Sequence, residues 1–223
     1  MTIRLGNFPP VLDEQLLDRL RNISFPTIGH YLESGFCDAA IQRVCGQGKL
    51  IGQAVTVRLT PQDSTLLHHT VSQLREHDVL VIDMNGDVSH APVGLVVATA
   101  AKLRKSAGIV IDGVVTDVDE VHELNIPIYA RGKSILTTKL LGQSEGSLNE
   151  VIVCGGVSVS AGDIVLGDSN GVCIFPRETI VNLLATIEED DALEPELIAK
   201  LHQGKKLGDE TGASHMIEQL SKE

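Results

Sequence analysis

Three helix–strand units follow one another between residues 64 and 130, and this repeat limits the fold more than any other feature of the chain. In each unit a segment with helical periodicity precedes an apolar strand: 64–74 before 78–83, 92–106 before 108–112, and 117–124 before 127–130. A helix that links two strands of one sheet makes a right-handed crossover, so the two strands run parallel. The repeat therefore predicts an α/β fold with a largely parallel sheet.

The segments on either side of the repeat have different patterns. A strand is expected over Lys49–Leu59, and helices are expected over Pro10–Arg21 and after Pro26. Residues 149–175 contain short β runs separated by GG, AGD and DSNG turns, with little room for helix. This β-rich half is expected to form an antiparallel meander packed on the sheet, or a barrel-like closure. From Pro176 onward the chain is expected to be helical.

No linker divides the chain, so residues 1–223 are expected to form one domain. Its core is expected at about 25–180, with helical extensions at the N- and C-terminal ends. The acidic run EEDDALEPE at 188–196 is interpreted as a solvated helix face or an interhelical turn. A terminal arm that contacts another subunit is the alternative.

Charge and composition exclude several classes of partner. The net charge of −12 repels phosphate backbones and anionic membranes, and the aromatic share of 3% without Trp leaves little for base stacking. We therefore expect neither direct nucleic-acid binding nor membrane association. No apolar signal region or membrane-length run is found, and no tight metal-ligand spacing links the cysteines, Cys37, Cys45, Cys154 and Cys173. A cytoplasmic location with reduced, buried thiols is the simplest expectation.

A candidate anion site lies where the loop 85–94, NGDVSHAPVG, enters a helix. Pro92 is placed in the first helical turn, where a missing N–H is tolerated. The amides of Gly94, Leu95, Val96 and Val97 would then point out of the helix start and bind a carboxylate or phosphate. An ordinary β–α connection with a suitable Pro and Gly is the alternative interpretation.

The second candidate segment is DGVVTDVD at 112–119, which follows an apolar strand. Asp117 could bind a hard cation, because magnesium takes one or two protein carboxylates and completes its shell with water and substrate. Alternatively, Thr116 and Asp119 form a helix-capping pattern with Asp117 in the first turn. His90 lies beside the proposed anion site and could donate to a substrate oxygen, although a surface or loop-structural histidine is the favoured interpretation.

Six segments, taken in order, resemble the RraA-like family. This family contains 4-hydroxy-4-methyl-2-oxoglutarate aldolases, related oxaloacetate decarboxylases and the regulator of ribonuclease E activity. The resemblance runs from about residue 25 to 180, and the ordered set is specific although each piece alone is weak. The matching segments are GQAVTV at 52–57, HDVLVIDMNGD at 77–87, APVGLVVATAAK at 91–102, GIVIDGVVTDVDEV at 108–121, IPIYARG at 126–132 and CGGVSVSAGDIVLGDSNGVCIFPRE at 154–178.

The resemblance implies a swivelling β/β/α fold with a mixed sheet. It also implies a homotrimer or a dimer of trimers with active sites between subunits. In the family's aldolases a divalent metal, usually magnesium and with manganese as the alternative, binds through the residue that corresponds to Asp117. The amides that correspond to Gly94–Val97 hold the carboxylate of pyruvate or of another 2-oxo acid.

Two positions depart from the family pattern. Thr116 stands where the family has an arginine that contacts the keto acid, and Leu95 stands where an acid is usual. Arg58 or Arg131 could supply the missing charge from elsewhere in the fold. The resemblance then implies a diverged metal-dependent carbon–carbon lyase that releases pyruvate from a small 2-oxo acid by retro-aldol cleavage or decarboxylation. The alternatives are a non-catalytic regulator that binds ribonuclease E, and a relative with an altered substrate or lost activity.

Overall fold

The computed structural model describes residues 2–143 and 145–222. Its strands are β1 (Arg4–Leu5), β2 (Gln42–Cys45), β3 (Leu50–Arg58), β4 (Asp78–Asp83), β5 (Gly108–Val115), β6 (Ile128–Lys133), β7 (Ser147–Leu148), β8 (Ile152–Cys154), β9 (Val157–Val159), β10 (Ile164–Asp168) and β11 (Gly171–Phe175). Its helices are α1 (Glu14–Asn22), α2 (Phe25–Ile28), α3 (Thr65–Gln73), α4 (Leu95–Leu103), α5 (Val118–Leu124), α6 (Arg177–His202), α7 (Leu207–Glu210) and α8 (Ala213–Leu220).

The main sheet is mixed and has the order β1-β7-β3-β4-β5-β6-β2, with the β10–β11 hairpin attached to β3. Strands β3, β4, β5 and β6 run parallel to one another, as the repeat of helix–strand units predicts. Strands β2, β7 and β10 pair antiparallel with this parallel centre. The predicted α/β class and the mixed sheet are therefore confirmed.

The β-rich half of the chain is divided between two places. Strand β10 pairs with residues 50–53 of β3, so the β10–β11 hairpin extends the main sheet. Strands β8 and β9 form a separate two-stranded sheet, and the amide of Val153 donates to Asp83 on β4 at 3.4 Å. The β8–β9 hairpin therefore lies on one face of the main sheet.

The first two helices are shorter than the periodicity predicts. Helix α1 begins at Glu14 rather than at Pro10, because Asp13 caps it and accepts a hydrogen bond from the amide of Leu16 at 2.8 Å. The helix expected after Pro26 is limited to the four residues of α2.

The helix–strand unit that leads into β5 also has different boundaries. Helix α4 begins at Leu95, and Pro92 lies in an extended segment between β-bridges at Ala91 and Val93 instead of in the first turn. Strand β5 continues to Val115, past the end predicted at Asp112, with an irregularity in its pairing to β6.

Both faces of the parallel centre are buried. In β4, Leu80 and Ile82 pack with α3, α4 and α5, while Val79 and Val81 pack on the opposite face with β8 and β9. Such double burial explains the continuous apolar runs of these strands. The core is mainly aliphatic, as the low aromatic content requires. The cluster on the β8–β9 face of the sheet includes the buried aromatic side chain of Tyr129.

Helix α6 packs on α1, α2 and β10 through its first half, where Ile180, Leu184 and Ile187 are buried. The acidic run at 188–196 lies inside α6, so it is not an interhelical turn. Part of the run is paired, since Glu188 binds Arg19 at 2.8 Å and Asp191 accepts from the amide of Ser24 at 2.6 Å. Among the described residues no helix is long and apolar enough to cross a membrane.

Candidate functional site

Asp117 lies between β5 and α5 with left-handed backbone angles, φ 53° and ψ 38°. Aspartate tolerates this conformation better than most residues, because its short polar side chain can bond locally. The turn directs its carboxylate at the start of α4, where Oδ2 accepts a hydrogen bond from the amide of Leu95 at 2.9 Å. The two loops that the sequence singled out therefore meet within one subunit.

Gly94 makes this contact sterically feasible. A Cβ atom at this position would lie 2.3 Å from Oδ2 of Asp117 and 2.8 Å from Cγ2 of Thr116. Its backbone is extended, so glycine is needed here for space and not for a left-handed conformation. The missing side chain admits the carboxylate of Asp117 to the helix start.

The amides at the start of α4 differ in whether they already have a hydrogen-bond acceptor. Leu95 already donates to Asp117, and the first bond toward the helix interior is from Ala98 to the carbonyl of Gly94 at 3.0 Å. Val96 and Val97 have no acceptor for their amides among the described residues. The first N–H groups of a helix lack intrahelical acceptors and carry the positive end of its dipole. Two donors are thus available beside the carboxylate.

The capping pattern read from Thr116 and Asp119 is not formed. The residue before α5 is Asp117, and no side chain caps the amides of this helix. Thr116 instead directs its hydroxyl to Oδ1 of Asp117 at 3.3 Å, which is a weak bond. Thr116 therefore orients the carboxylate and adds no charge to the site.

A hollow of about 250 Å³ lies beside Asp117 and Thr116. Its wall includes Lys133, at the end of β6, and Ile135. Lys133 pairs in register with Val115, the last residue of β5, so the parallel pairing of β5 and β6 places this cation next to the loop. No ion pair joins Lys133 to another residue in the described part of the chain. The sequence analysis missed Lys133, because only the pairing of β6 with β5 brings it to this loop.

His90 is bound within its own loop. Its Nδ1 lies 2.7 Å from Oδ2 of Asp87, and its backbone amide donates to Oδ1 of Asp87 at 2.9 Å. Burial raises the pKa of Asp87, but the hydrogen bonds from the amides of His90 and Ser89 and from the imidazole outweigh this effect and lower it. His90 does not line the hollow beside Asp117, so the geometry favours the loop role over a substrate contact.

The two arginines considered as replacements for the family arginine are committed elsewhere. Arg58 binds Asp83 through Nε at 2.8 Å. Arg131 binds both Asp112 and Asp38, and these bonds raise its pKa. Asp112 also accepts from the amide of Gly155, on the face of the sheet opposite α4.

The residues available to a metal ion are few. Within residues 2–143 and 145–222, no three His, Cys, Asp or Glu side chains come together in a group that could hold a metal. Asp117 is exposed and has no cationic partner in this range, so its carboxylate remains available as a single protein ligand. Magnesium accepts such a site when water and substrate oxygens supply the other ligands.

Comparison with known proteins identifies the class and then the family. The fold is that of a mixed α/β protein with a carboxylate at the carboxyl edge of its parallel strands. The family model named RraA-like and described as Aldolase/RraA matches residues 15–174, and the chain therefore belongs to the RraA-like family. A protein of Halalkalibacterium halodurans, provisionally named 4-hydroxy-4-methyl-2-oxoglutarate aldolase, is 34% identical over 144 residues, which cover 65% of this chain and 68% of that relative.

Two solved structures are similar over most of the chain. The Streptomyces coelicolor protein RraAS2, described as an unusual member of the RNase ES inhibitor RraA protein family, is 25% identical with a TM-score of 0.71 and covers 87% of this chain and 98% of its own. An uncharacterized protein from Pseudomonas syringae pv. tomato is 20% identical with a TM-score of 0.77 and covers 92% of this chain and 95% of its own. The second likeness shows the fold alone.

Proposed function

We propose that this protein is a divalent-metal-dependent carbon–carbon lyase that releases pyruvate from a small 2-oxo acid. The observation that carries the proposal is the Asp117 carboxylate bound to the amide of Leu95 at the start of α4, where the next two amides, of Val96 and Val97, have no acceptor among the described residues. A 2-oxo acid presents a carboxylate and a keto oxygen on adjacent carbons. It therefore offers one group to the helix amides and another to a cation held beside them.

Asp117 is the residue that would hold magnesium, or manganese in its place. When bound, the metal supplies Lewis-acid stabilisation of the charge that develops on the keto oxygen as the carbon–carbon bond breaks. The donor set fits this chemistry, because Asp117 is exposed and its Oδ1 has only a weak bond from Thr116. Leu95 and Thr116 orient the carboxylate through hydrogen bonds to its two oxygens.

The remaining residues bind and orient the substrate in this proposal. The amides of Val96 and Val97 donate to the substrate carboxylate, together with the positive end of the α4 dipole. Lys133 provides the positive charge that Thr116 does not, from the wall of the same hollow. A hydrogen bond to a charged group contributes about 1.5–3 kcal/mol, so this cation matters for substrate affinity.

We further propose that the protein acts as a homotrimer or a dimer of trimers, with the site between subunits. Several apolar side chains at the start of α4 and in the segment after β6 are exposed in the single chain, namely Val96, Ile135, Leu136, Leu140 and Leu141. Ile135, which lines the hollow, is 97% exposed, and a neighbouring subunit would cover it. We place the protein in the cytoplasm, where its four free thiols would stay reduced.

Steady-state assays test the lyase proposal. Purified protein is incubated with oxaloacetate and with 4-hydroxy-4-methyl-2-oxoglutarate in the presence of magnesium or manganese, and pyruvate is measured. We expect saturable release that disappears with a chelator and returns when metal is added. Rates that never exceed those of the metal alone on any 2-oxo acid would contradict the proposal.

A protein-binding regulator of the ribonuclease E type is the second candidate, and an altered or lost activity is the third. The likeness to RraAS2 and the neutral Thr116 favour the second candidate. Calorimetry with purified ribonuclease E tests it, and an absence of binding at micromolar concentration would remove it. Substitution Thr116→Arg separates the third candidate from the first: a large gain in lyase rate means an otherwise intact site, whereas no gain means a redirected pocket.

A further inference from the structure

Polar side chains occupy one register level across the sheet, and we call this set the polar row: Arg4, Ser147, Arg58, Asp83 and Asp112. The register pairs Arg4 with Ser147, Ser147 with Arg58, Arg58 with Asp83 and Asp83 with Asp112. Cross-strand partners project to the same face of a sheet. Val57 packs against the helices, so the next residue, Arg58, and with it the polar row project to the opposite face.

The charges of the polar row are balanced at one end and not at the other. Asp83 and Asp112 bind Arg58 and Arg131, with side chains only 10% and 20% exposed. Arg4 has no acidic side chain within ion-pair distance in the described part of the chain. Only its backbone is fixed, by a bond from its amide to the carbonyl of Gly146 at 3.2 Å. The polar row therefore ends in an uncompensated guanidinium group.

A hollow of about 500 Å³ opens at this end, lined by Arg4, Arg58, Thr60, Asn85, Glu145 and Ser147 among others. It lies at the carboxyl edge of β3 and β4, where ligands of α/β proteins usually bind. Arg58 uses Nε for Asp83, and its terminal nitrogens have no acceptor among the described residues. Ser147 is 1% exposed, and its hydroxyl has no hydrogen-bond partner in the same set.

An unpartnered buried hydroxyl is unusual, because buried polar side chains are normally satisfied. Here it lies between two guanidinium groups in the register of three neighbouring strands. Guanidinium groups present several N–H donors in a planar arrangement that matches carboxylate and phosphate oxygens. Such an arrangement is suited to an oxyanion, with Glu145 as the one opposing charge in its wall.

We propose that Arg4 and Arg58 form a second binding site, distinct from the Asp117 site, for the carboxylate or phosphate group of a small molecule. Arg4 lies outside residues 15–174, the range that matches the family, so the site combines the family domain with the segment that precedes it. The proposal does not depend on the lyase activity, since no residue of the polar row contacts Asp117 or the start of α4 by a hydrogen bond.

Calorimetric titration of the full chain with inorganic phosphate, and separately with malonate, tests this site. We expect saturable binding of at least one anion, and the tighter of the two identifies the preferred group. Arg4→Gln should raise the Kd about tenfold or more, because one charge-assisted contact is lost. Glu145→Gln, which removes the opposing charge, should lower the Kd about two- to threefold by reducing repulsion near the surface. Arg21→Gln, which removes an exposed arginine on α1, is the matched control and should leave the Kd unchanged.

Circular dichroism and the melting temperature establish that Arg4→Gln is folded, and amide chemical shifts provide a second measurement. We expect phosphate or malonate to move the resonances of Arg58, Thr60 and Asn85. The proposal is overturned if neither anion binds saturably, or if Arg4→Gln binds as the parent does. It is also overturned if the anions move the amide resonances of Val96 and Val97 and leave those of Arg58, Thr60 and Asn85 unmoved, since the anion would then lie at α4.

Discussion

Asp117 and Asp112 both lie near the carboxyl ends of the parallel strands, yet their surroundings differ. Asp112 on the polar-row face is bound by Arg131 and by the amide of Gly155, which use both of its oxygens. Asp117 on the helix face has only neutral partners, the amide of Leu95 and the hydroxyl of Thr116. Position at a strand end is therefore not enough to leave a carboxylate available to a ligand. What matters is whether a cation of the protein already neutralises it.

The largest effect should follow from Asp117→Asn. If this carboxylate holds the metal, its loss removes several kcal/mol of stabilisation of the developing charge, so the lyase kcat should fall about a hundredfold or more. The free energy of unfolding should change little, because Asp117 is exposed. Pyruvate release with magnesium measures the first effect and urea denaturation the second. Asp119→Asn, an exposed acid two positions away, is the matched control and should retain full activity.

Asp112→Asn should lower the stability of the protein and leave the lyase kcat nearly unchanged, the opposite of what is expected for Asp117→Asn. It leaves Arg131 with only the more exposed Asp38 as a partner, and we expect a loss of about 2–3 kcal/mol in the free energy of unfolding. The kcat of the folded variant should stay within about twofold of the parent, because its carboxylate faces away from α4. Urea denaturation and the pyruvate assay are compared on the same preparation. A large fall in kcat with unchanged stability would reverse the assigned roles.

Gly94→Ala tests the steric basis of the Asp117 contact. The new Cβ would lie 2.3 Å from Oδ2 of Asp117 and must push the carboxylate away. We expect the free energy of unfolding to fall by about 1 kcal/mol and the metal affinity to fall clearly. Titration with manganese, followed by electron paramagnetic resonance, reports the metal affinity. Gly132→Ala is the control, because the nearest atom to its Cβ would be 3.9 Å away. Equal manganese affinity in both variants would mean that the contact does not position Asp117.

The smallest effect concerns Asp63, whose carboxylate is stabilised by hydrogen bonds from neutral groups rather than by an arginine. Burial raises its pKa, but bonds from the hydroxyl and amide of Thr65 and from the amides of Leu141 and Gln143 outweigh burial and lower it. A carboxyl whose pKa is lower in the folded state stabilises the fold above its unfolded pKa near 3.8. This contribution should disappear as the pH falls from 4 through the folded pKa.

Melting temperatures between pH 5 and pH 2.5 measure the Asp63 effect. Asp63→Asn should be less stable than the parent at pH 5 and should lose less stability on acidification. Its residues 140–143 should also become more accessible to proteases, because asparagine keeps only one of the two acceptor oxygens and leaves the amide of Leu141 or of Gln143 without one. Identical acid profiles for parent and variant would show that Asp63 does not contribute.

The sequence alone was sufficient for the elements with strong periodicity. Strands β3 to β6 and helices α3 to α5 lie close to where alternation and apolar runs place them, with shifted ends in α4 and β5. The loops of Asp117 and of the α4 amides, selected from their turn residues, come together, and their role as a site stays a prediction. Strand β1 was missed because it has two residues, which carry no measurable alternation. The end of β5 was misplaced because Gly113 interrupts the apolar run, whereas pairing with β6 extends the strand to Val115.

Features that depend on pairing between distant strands could not be predicted. Lys133 reaches the Asp117 hollow only because β6 pairs with β5 in one particular register. Likewise Arg4 and Arg58 are brought together through β7, whose residues lie far from both in the chain. The commitment of Arg131 to Asp112 also requires the folded sheet, so the sequence left Arg131 as a candidate for the wrong site.

A crystal structure with manganese and oxalate bound tests the central claim most directly. We expect one anomalous peak within coordination distance of the Asp117 carboxylate, and an oxalate oxygen within hydrogen-bond distance of the amides of Val96 and Val97. Manganese bound at any other carboxylate, or oxalate bound away from the start of α4, would contradict the claim that these groups act on one substrate.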